Sequence, residues 1–198
     1  MILMASLLAG CAGSETGQRT PLVAGTGAPV IIPGGPGEAG RTAKPGERLG
    51  ESEAQVTGAD VRFAEGMIPH HRQALEMAAL VAPRSSSRAL RTLAERITVA
   101  QRAEIAAMTS WLKAVGRTWE GHDDHTVTQE QMNRLRAARG AAFDRLFLSL
   151  MITHHQAALE MARRQLQDGT DRTMLATAKD VLSGQGVEIA RMRELLGG

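Results

Sequence analysis

MIPHHRQALEMA, from Met67 to Ala78, recurs 84 residues later as MITHHQAALEMA, from Met151 to Ala162, with nine of the twelve letters identical. The same offset pairs Asp60 with Asp144, Phe63 with Phe147, Arg88 with Arg172, Gln101 with Gln185, Glu104-Ile105 with Glu188-Ile189, Met108 with Met192 and Leu112 with Leu196, without a gap. A unit of about fifty residues, 59–112 and again 143–196, is therefore duplicated, and a repeat of that length is one supersecondary unit that buries its apolar face against its twin.

On a helical wheel of about 100° per residue, Met67, His70, His71, Ala74, Met77 and Ala78 fall within roughly 120° of arc, while Arg72 and Glu76 lie on the far side. The second copy groups Met151, His154, His155, Ala158, Met161 and Ala162, and leaves Glu160 outside. Asp60 and Asp144 lie two turns earlier on the same stripe and are candidate carboxylates for whatever the stripe faces.

Punctuation around the repeats outlines the helices. Gly58 to Ala82 reads as one helix, broken by Pro83 and Arg84-Ser85-Ser86-Ser87; Ser87 is the N-cap of a second that runs to about Val115. Gly116 to Val127 reads as a loop, and Thr128 with Gln131 forms a capping box for a third helix ending at Asp168-Gly169-Thr170. The fourth runs from Asp171 to about Leu196, weakened by Ser183, Gly184 and Gly186. Pro69, where the second copy has Thr153, predicts a kink or restart in the first helix. Three Phe, two Trp and no Tyr leave the core to Ala, Leu, Ile, Val and Met, which suits closely approaching helices. Two such hairpins bury their stripes together as an all-α four-helix bundle over 58–198.

The residues before the bundle have another character. Residues 1–10 are apolar without an acidic group, and Leu8-Ala9-Gly10-Cys11 has the form of a bacterial lipoprotein signal in which Cys11 carries the lipid. Residues 12–57, rich in Gly, Pro, Ser and Thr, read as a disordered tether. The protein is then expected outside the cytoplasm, on the periplasmic side or the cell surface, held to the membrane by its anchor. A net charge of +2 without a basic run or interleaved aromatics gives no basis for binding nucleic acid.

Four inward imidazoles, with thioethers at fixed places around them, are a costly way to fill a core unless they meet a ligand. The candidate metal donors are Met67, His70, His71 and Met77, with Met151, His154, His155 and Met161. Glu104 and Met108 on the partner helix share a stripe with Gln101 and Leu112, and Glu188 and Met192 share one with Gln185 and Leu196. The two glutamates read as ligands or as acceptors that orient imidazole N–H groups. His122 and His125, with Asp123 and Asp124, read as a solvated loop.

The pattern D-x2-F-x3-M-I-x-H-H-x2-A-x-x-M-A followed by Q-x2-E-I-x2-M resembles the "domain of unknown function 305" family, ferritin-like helical proteins, over Ala59 to Leu196. The resemblance implies an exported protein associated with copper binding and resistance, with the association falling on Met67, His70, His71 and Met77 and on Met151, His154, His155 and Met161. Ligand softness points the same way: thioether with imidazole suits Cu(I), imidazole with carboxylate suits Cu(II). The reading is a tethered copper-binding protein for sequestration, delivery or resistance, with a copper-handling protein as partner. Iron is the alternative, in a di-iron oxidase, although neither a Glu-x-x-His pair nor a Tyr is present. A structural or interaction bundle whose histidines sense pH is the third reading. No nucleophile, base and oxyanion set is visible, so an enzyme claim would rest on fold analogy alone.

The anchor has a direct check: a fatty-acid analogue should label the wild type in cells and fail to label Cys11→Ala. Label that survives the substitution would remove the lipoprotein reading.

Overall fold

Thr57 and Asp60 open the first helix as a reciprocal box, in which the Asp60 N–H donates to Thr57 Oγ1 and the Thr57 N–H to Asp60 Oδ2, at 3.3 and 2.8 Å. The computed structural model describes residues 22–23, 29–32, 39–46, 48–49, 56–118 and 126–197. Its helical unit, residues 54–198, contains α1 (Gly58–Ala79), α2 (Val81–Arg84), α3 (Arg88–Ala114), α4 (Gln129–Ala137), α5 (Gly140–Asp168) and α6 (Arg172–Gly197).

The expected caps form. Ser87 Oγ accepts the Leu90 N–H at 3.2 Å, and Thr128 and Gln131 exchange hydrogen bonds at 3.2 and 2.8 Å. Gly116, at φ +72°, ends α3: its own N–H reaches the Lys113 carbonyl and the Arg117 N–H reaches the Leu112 carbonyl. That pairing satisfies two carbonyls of the last turn, and the left-handed backbone explains the glycine.

Several expectations change. The first helix runs through Pro69 without restarting, at the loss of the N–H that would reach the carbonyl one turn back. It then ends at Ala79, and Val81–Arg84 forms a separate turn. The third helix is two, because the chain is extended at Ala138 and Arg139, and α5 opens on Gly140 at φ +57°. The fourth, in contrast, continues through Gly184 and Gly186. Its stripe of Met174, Ala178, Val181, Gln185, Ile189 and Met192 is buried, whereas Leu196, expected to extend that stripe, is 40% exposed.

α1 and α5, which carry the repeated strings, lie side by side and antiparallel: Asp60 meets Gln165, Gly66 meets Met161 and His70 meets His154. The core divides into two apolar clusters. One holds Ala74, Met77, Ile97, Phe143, Phe147, Met151 and Met192; the other holds Phe63, Met67, Met108, Trp111, Ala158 and Met174. Buried polar residues of the repeated strings fall between them along the helices. α4 and the end of the inter-repeat connection close the first cluster with Val127, Met132 and Leu135, and Gln73 fixes that connection by two hydrogen bonds to the Val127 backbone at 2.8 and 2.9 Å.

Residues 1–53 form a separate unit. In the stretch expected to be an unstructured tether, β1 (Leu22–Val23) pairs antiparallel with β4 (Arg48–Leu49), and β2 (Ile31–Ile32) with β3 (Arg41–Thr42). Ile and Thr favour such ladders, and Gly46 at φ +81° follows Pro45 in a turn. Cys11 and the loop residues His122 to His125 lie outside the described residues.

Asp60 is the tie between the hairpins. Fully buried, its carboxylate accepts from Thr57, from Gln165 Nε2 at 2.5 Å and from the backbone N–H groups of Thr170 and Asp171 at 3.1 and 3.2 Å. Burial opposes its charge, but these donors together hold its pKa below the ordinary value. Gly169 leaves room for this set, since a Cβ there would crowd Gln165 Nε2 and Asp60 Oδ1 and one of them would have to shift. Asp60→Ala should cost about 2–4 kcal/mol, measured by urea unfolding at neutral pH, because a cap and several charge-assisted hydrogen bonds vanish together. A change under about 0.5 kcal/mol, the ordinary range for surface substitutions, would contradict this role.

Candidate metal centre

His70 and His71 of α1, and His154 and His155 of α5, all point into the bundle and are buried. The antiparallel pairing of α1 and α5 brings His70 onto His154, with ring centroids 3.7 Å apart and planes tilted by 34°. The outer members of each pair turn toward the partner helices: His71 Nε2 donates to Glu104 Oε2 of α3 at 2.6 Å, and His155 Nε2 to Glu188 Oε2 of α6 at 2.8 Å. His70 lies 6.2 Å from His71, and His154 lies 6.2 Å from His155, with near-equal tilts. The duplication in sequence is thus a local two-fold relation in space.

The glutamates, with side chains 19% and 14% exposed, act as the acceptors that orient imidazole. A carboxylate that accepts from Nε2 fixes a proton there, so that Nδ1 is the nitrogen left to face a ligand. Both of those Nδ1 atoms, and both nitrogens of His70 and His154, are buried without a hydrogen-bond partner among the described residues. Each such nitrogen costs about 1–3 kcal/mol relative to a satisfied one.

Electrostatics keep the inner pair neutral. Burial, followed by repulsion from His71 and His155, lowers the His70 pKa from 6.5 to about 3. Burial, then His70, His155 and His71, hold His154 well below 6.5. Neutral imidazoles with free lone pairs are the form that binds a metal. The residues present therefore suit a metal ion, although the four rings stand as two His–Glu pairs and one close, tilted His–His pair, and among the described residues no three His, Cys, Asp or Glu already converge as a closed ligand set.

The other candidates sort by height along the helices. Met67 and Met151 are fully buried one turn from the histidines, and Met108 and Met192 are buried one turn beyond Glu104 and Glu188. Met67 and Met108 share the cluster with Ala158, and Met151 and Met192 the cluster with Ala74, one set on each side of the imidazole layer. Met77 lies deeper in the core with Val81 and Leu90, about 9 Å of helix rise from His71. Met161 is half-buried, packs its methyl over Gly66 and lines an outer groove with Arg62, Phe63 and Arg164. Asp60 is engaged at the α5–α6 turn. Asp144 occupies the corresponding place in the other repeat, with Oδ1 buried and without a partner among the described residues. Neither aspartate is brought to the imidazoles by a contact. Glu76 and Glu160 face outward and pair with Arg136 and with Arg163 and Arg164.

Gln101 and Gln185 were not singled out from sequence as site residues. Both are buried with amide oxygen and nitrogen unpartnered. Their recurrence at one offset on the inward stripe was the available signal.

The sequence profile of DUF305, a domain of unknown function, matches residues 60–196. Among solved structures, a DUF305 protein of Streptomyces coelicolor described as secreted is 28% identical, covering 70% of this chain and 92% of its own, with a TM-score of 0.66. A DUF305 fragment from Deinococcus radiodurans is 29% identical over 72% of this chain and 97% of its own, with a TM-score of 0.67. CopM, solved in a Cu(I)-bound form and also bound to Cu(II), is similar at 29% identity over 69% of this chain and 94% of its own, with a TM-score of 0.63. A comparison with curated proteins finds no match.

Replacing the inner pair by His70→Leu with His154→Leu should leave the thermal midpoint of the metal-free protein at pH 7 unchanged or raise it, because unsatisfied nitrogens are exchanged for apolar groups. The pH dependence has a definite sign. A depressed imidazole pKa means that the unfolded chain takes up protons first, so wild-type stability falls as pH drops from 6.5 toward about 3. The variant should lose this part of the slope. A lower midpoint for the variant at pH 7 would make the pair structural.

Proposed function

We propose, for a chain that belongs to the DUF305 family, that it binds copper as cargo outside the cytoplasm, tethered through Cys11, for sequestration, delivery or resistance. The observation that carries this reading is the buried layer of four imidazoles, six of whose nitrogens have no hydrogen-bond partner among the described residues. Lone pairs of this kind, flanked by Met67, Met108, Met151 and Met192, match the ligand preferences of copper in both oxidation states. CopM, a similar protein solved with Cu(I), Cu(II) and silver, supports the choice of metal, and the Streptomyces coelicolor protein described as secreted supports the compartment. Among the described residues no helix is long and apolar enough to cross a membrane.

The work of the chain in this reading is to hold and shield the ion. Glu104 and Glu188 keep the Nε2 protons of His71 and His155 and aim their Nδ1 atoms inward. The apolar clusters on both sides exclude water. A copper-handling protein is the expected partner for transfer. A di-iron oxidase is the weaker reading, since among the described residues the only carboxylates touching the imidazoles are Glu104 and Glu188, each already accepting a hydrogen bond.

Replacing His70, His71, His154 and His155 together by Ala should abolish tight copper binding in competition titrations. Retained affinity would return the histidines to a structural role. Oxygen consumption driven by ferrous ion and absent with copper would favour the iron oxidase.

A further inference from the structure

The outer face of α3 carries Val99, at 72% the most exposed large hydrophobic side chain among the described residues. Beside it runs a groove of about 240 Å³, between Ala78, Val81 and Ala82 on one side and Ala94, Thr98 and Val99 on the other. Its lining makes little polar demand, since the Thr98 hydroxyl already donates to the Ala94 carbonyl at 2.8 Å. The second repeat has larger apolar residues at this level: Leu166 and Leu182 stand at the places of Ala82 and Thr98 and pack onto the core. In the first repeat the same level is left open.

With Val99 at 0° on the α3 wheel, Glu95 falls at about 320° and Arg102 at about 300°, while Thr92, Ala103 and Ala106 lie within about 40° of the valine. All five are exposed. Glu95 and Arg102 therefore share one edge of this face, a turn before and a turn after Val99, with small residues along its centre. Neither charge has an ion pair or a side-chain hydrogen bond among the described residues. The second repeat has Lys179, Ser183 and Gly186 at the places of Glu95, Val99 and Arg102, so the pattern belongs to α3 alone.

Two antiparallel helices related by a two-fold axis keep each edge on its own side and invert height along the helix. With the axis at Val99, Glu95 of one copy comes level with Arg102 of the other to within about 1.5 Å of helix rise, and the pair forms twice. Val99 meets itself and Thr92 meets Ala106, side chains small enough for axes about 8 Å apart. The aliphatic stem of each Arg102 then lies over the other copy's groove, and its guanidinium reaches Glu95 on the rim. We propose that α3 is the interface of a symmetric dimer of this chain. The occupant is a second copy because one surface supplies both halves of its own complement: an apolar knob beside an apolar groove, and opposite charges at equal distances from the knob. The dimer is independent of the copper reading, since none of these residues belongs to the imidazole layer.

Sedimentation velocity on the full chain in detergent should show a reversible monomer–dimer equilibrium. Glu95→Arg, and separately Arg102→Glu, set like charges opposite each other and should weaken association about tenfold or more, whereas the two reversals together should restore it. Both side chains are exposed, so the fold tolerates the changes. A second measurement reads the register: in a Cys11→Ala background, Val99→Cys places a thiol on the axis and should give a disulfide-linked dimer under mild oxidation, while Ser183→Cys, its counterpart on α6, should not. A wild-type chain that stays monomeric at every concentration overturns the proposal. So do dimers indifferent to both single reversals, and so does equal cross-linking at positions 99 and 183.

Discussion

The close approach of His70 to His154 across the local two-fold axis, with the rings tilted by 34°, is the contact on which the rest of the bundle depends. It brings two neutral rings into contact, with all their nitrogens buried and unpartnered among the described residues. A core built for stability alone would fill this level with leucine, because an unsatisfied buried group is a net penalty and an apolar replacement is close to neutral. The surroundings instead maintain the penalty. Glu104 and Glu188 hold the outer imidazoles in one tautomer, Ala74 and Ala158 keep the flanking levels small, and apolar clusters on both sides close the layer off from water.

Duplication makes this arrangement economical in sequence. One hairpin supplies two adjacent histidines, a carboxylate from its second helix and methionines a turn away. The antiparallel apposition of α1 and α5 then doubles the set and brings the inner histidines together. Asp60 secures the apposition at one end only: its counterpart Asp144 does not form the same hydrogen-bond set, because the turn that meets Asp60 is built from Gly169, Thr170 and Asp171, whereas the corresponding stretch of the first repeat contains α2 and three serines. Pro69, the inter-repeat connection and α4 likewise belong to one half alone. The halves therefore share a centre and differ at their ends.

Much of this was legible in the sequence. The repeat and its helical period gave the all-α bundle, the inward face and the four histidines, and the caps at Ser87 and Thr128 fell where side-chain chemistry placed them. Other features followed tertiary context. Pro69 does not interrupt α1, because a helix buried along α3 and α5 tolerates one missing hydrogen bond. The break before α5 depends on the left-handed backbone of Gly140 within an alanine-rich run that otherwise favours helix. A wheel gives direction around a helix but not height along it, so Met77 and Met161 share the face of the histidines and still lie away from them. Asp60 met the same limit: on the stripe, but engaged at the turn between α5 and α6. The glutamines were visible as repeated residues, and only their lack of partners distinguishes them from ordinary core amides.

The central claim is that the imidazole layer is where the metal is held. X-ray absorption at the copper edge, on full-length protein loaded anaerobically with Cu(I), reads that layer directly. The account predicts multiple-scattering features of imidazole together with thioether sulfur in the first shell. A shell without imidazole would contradict it.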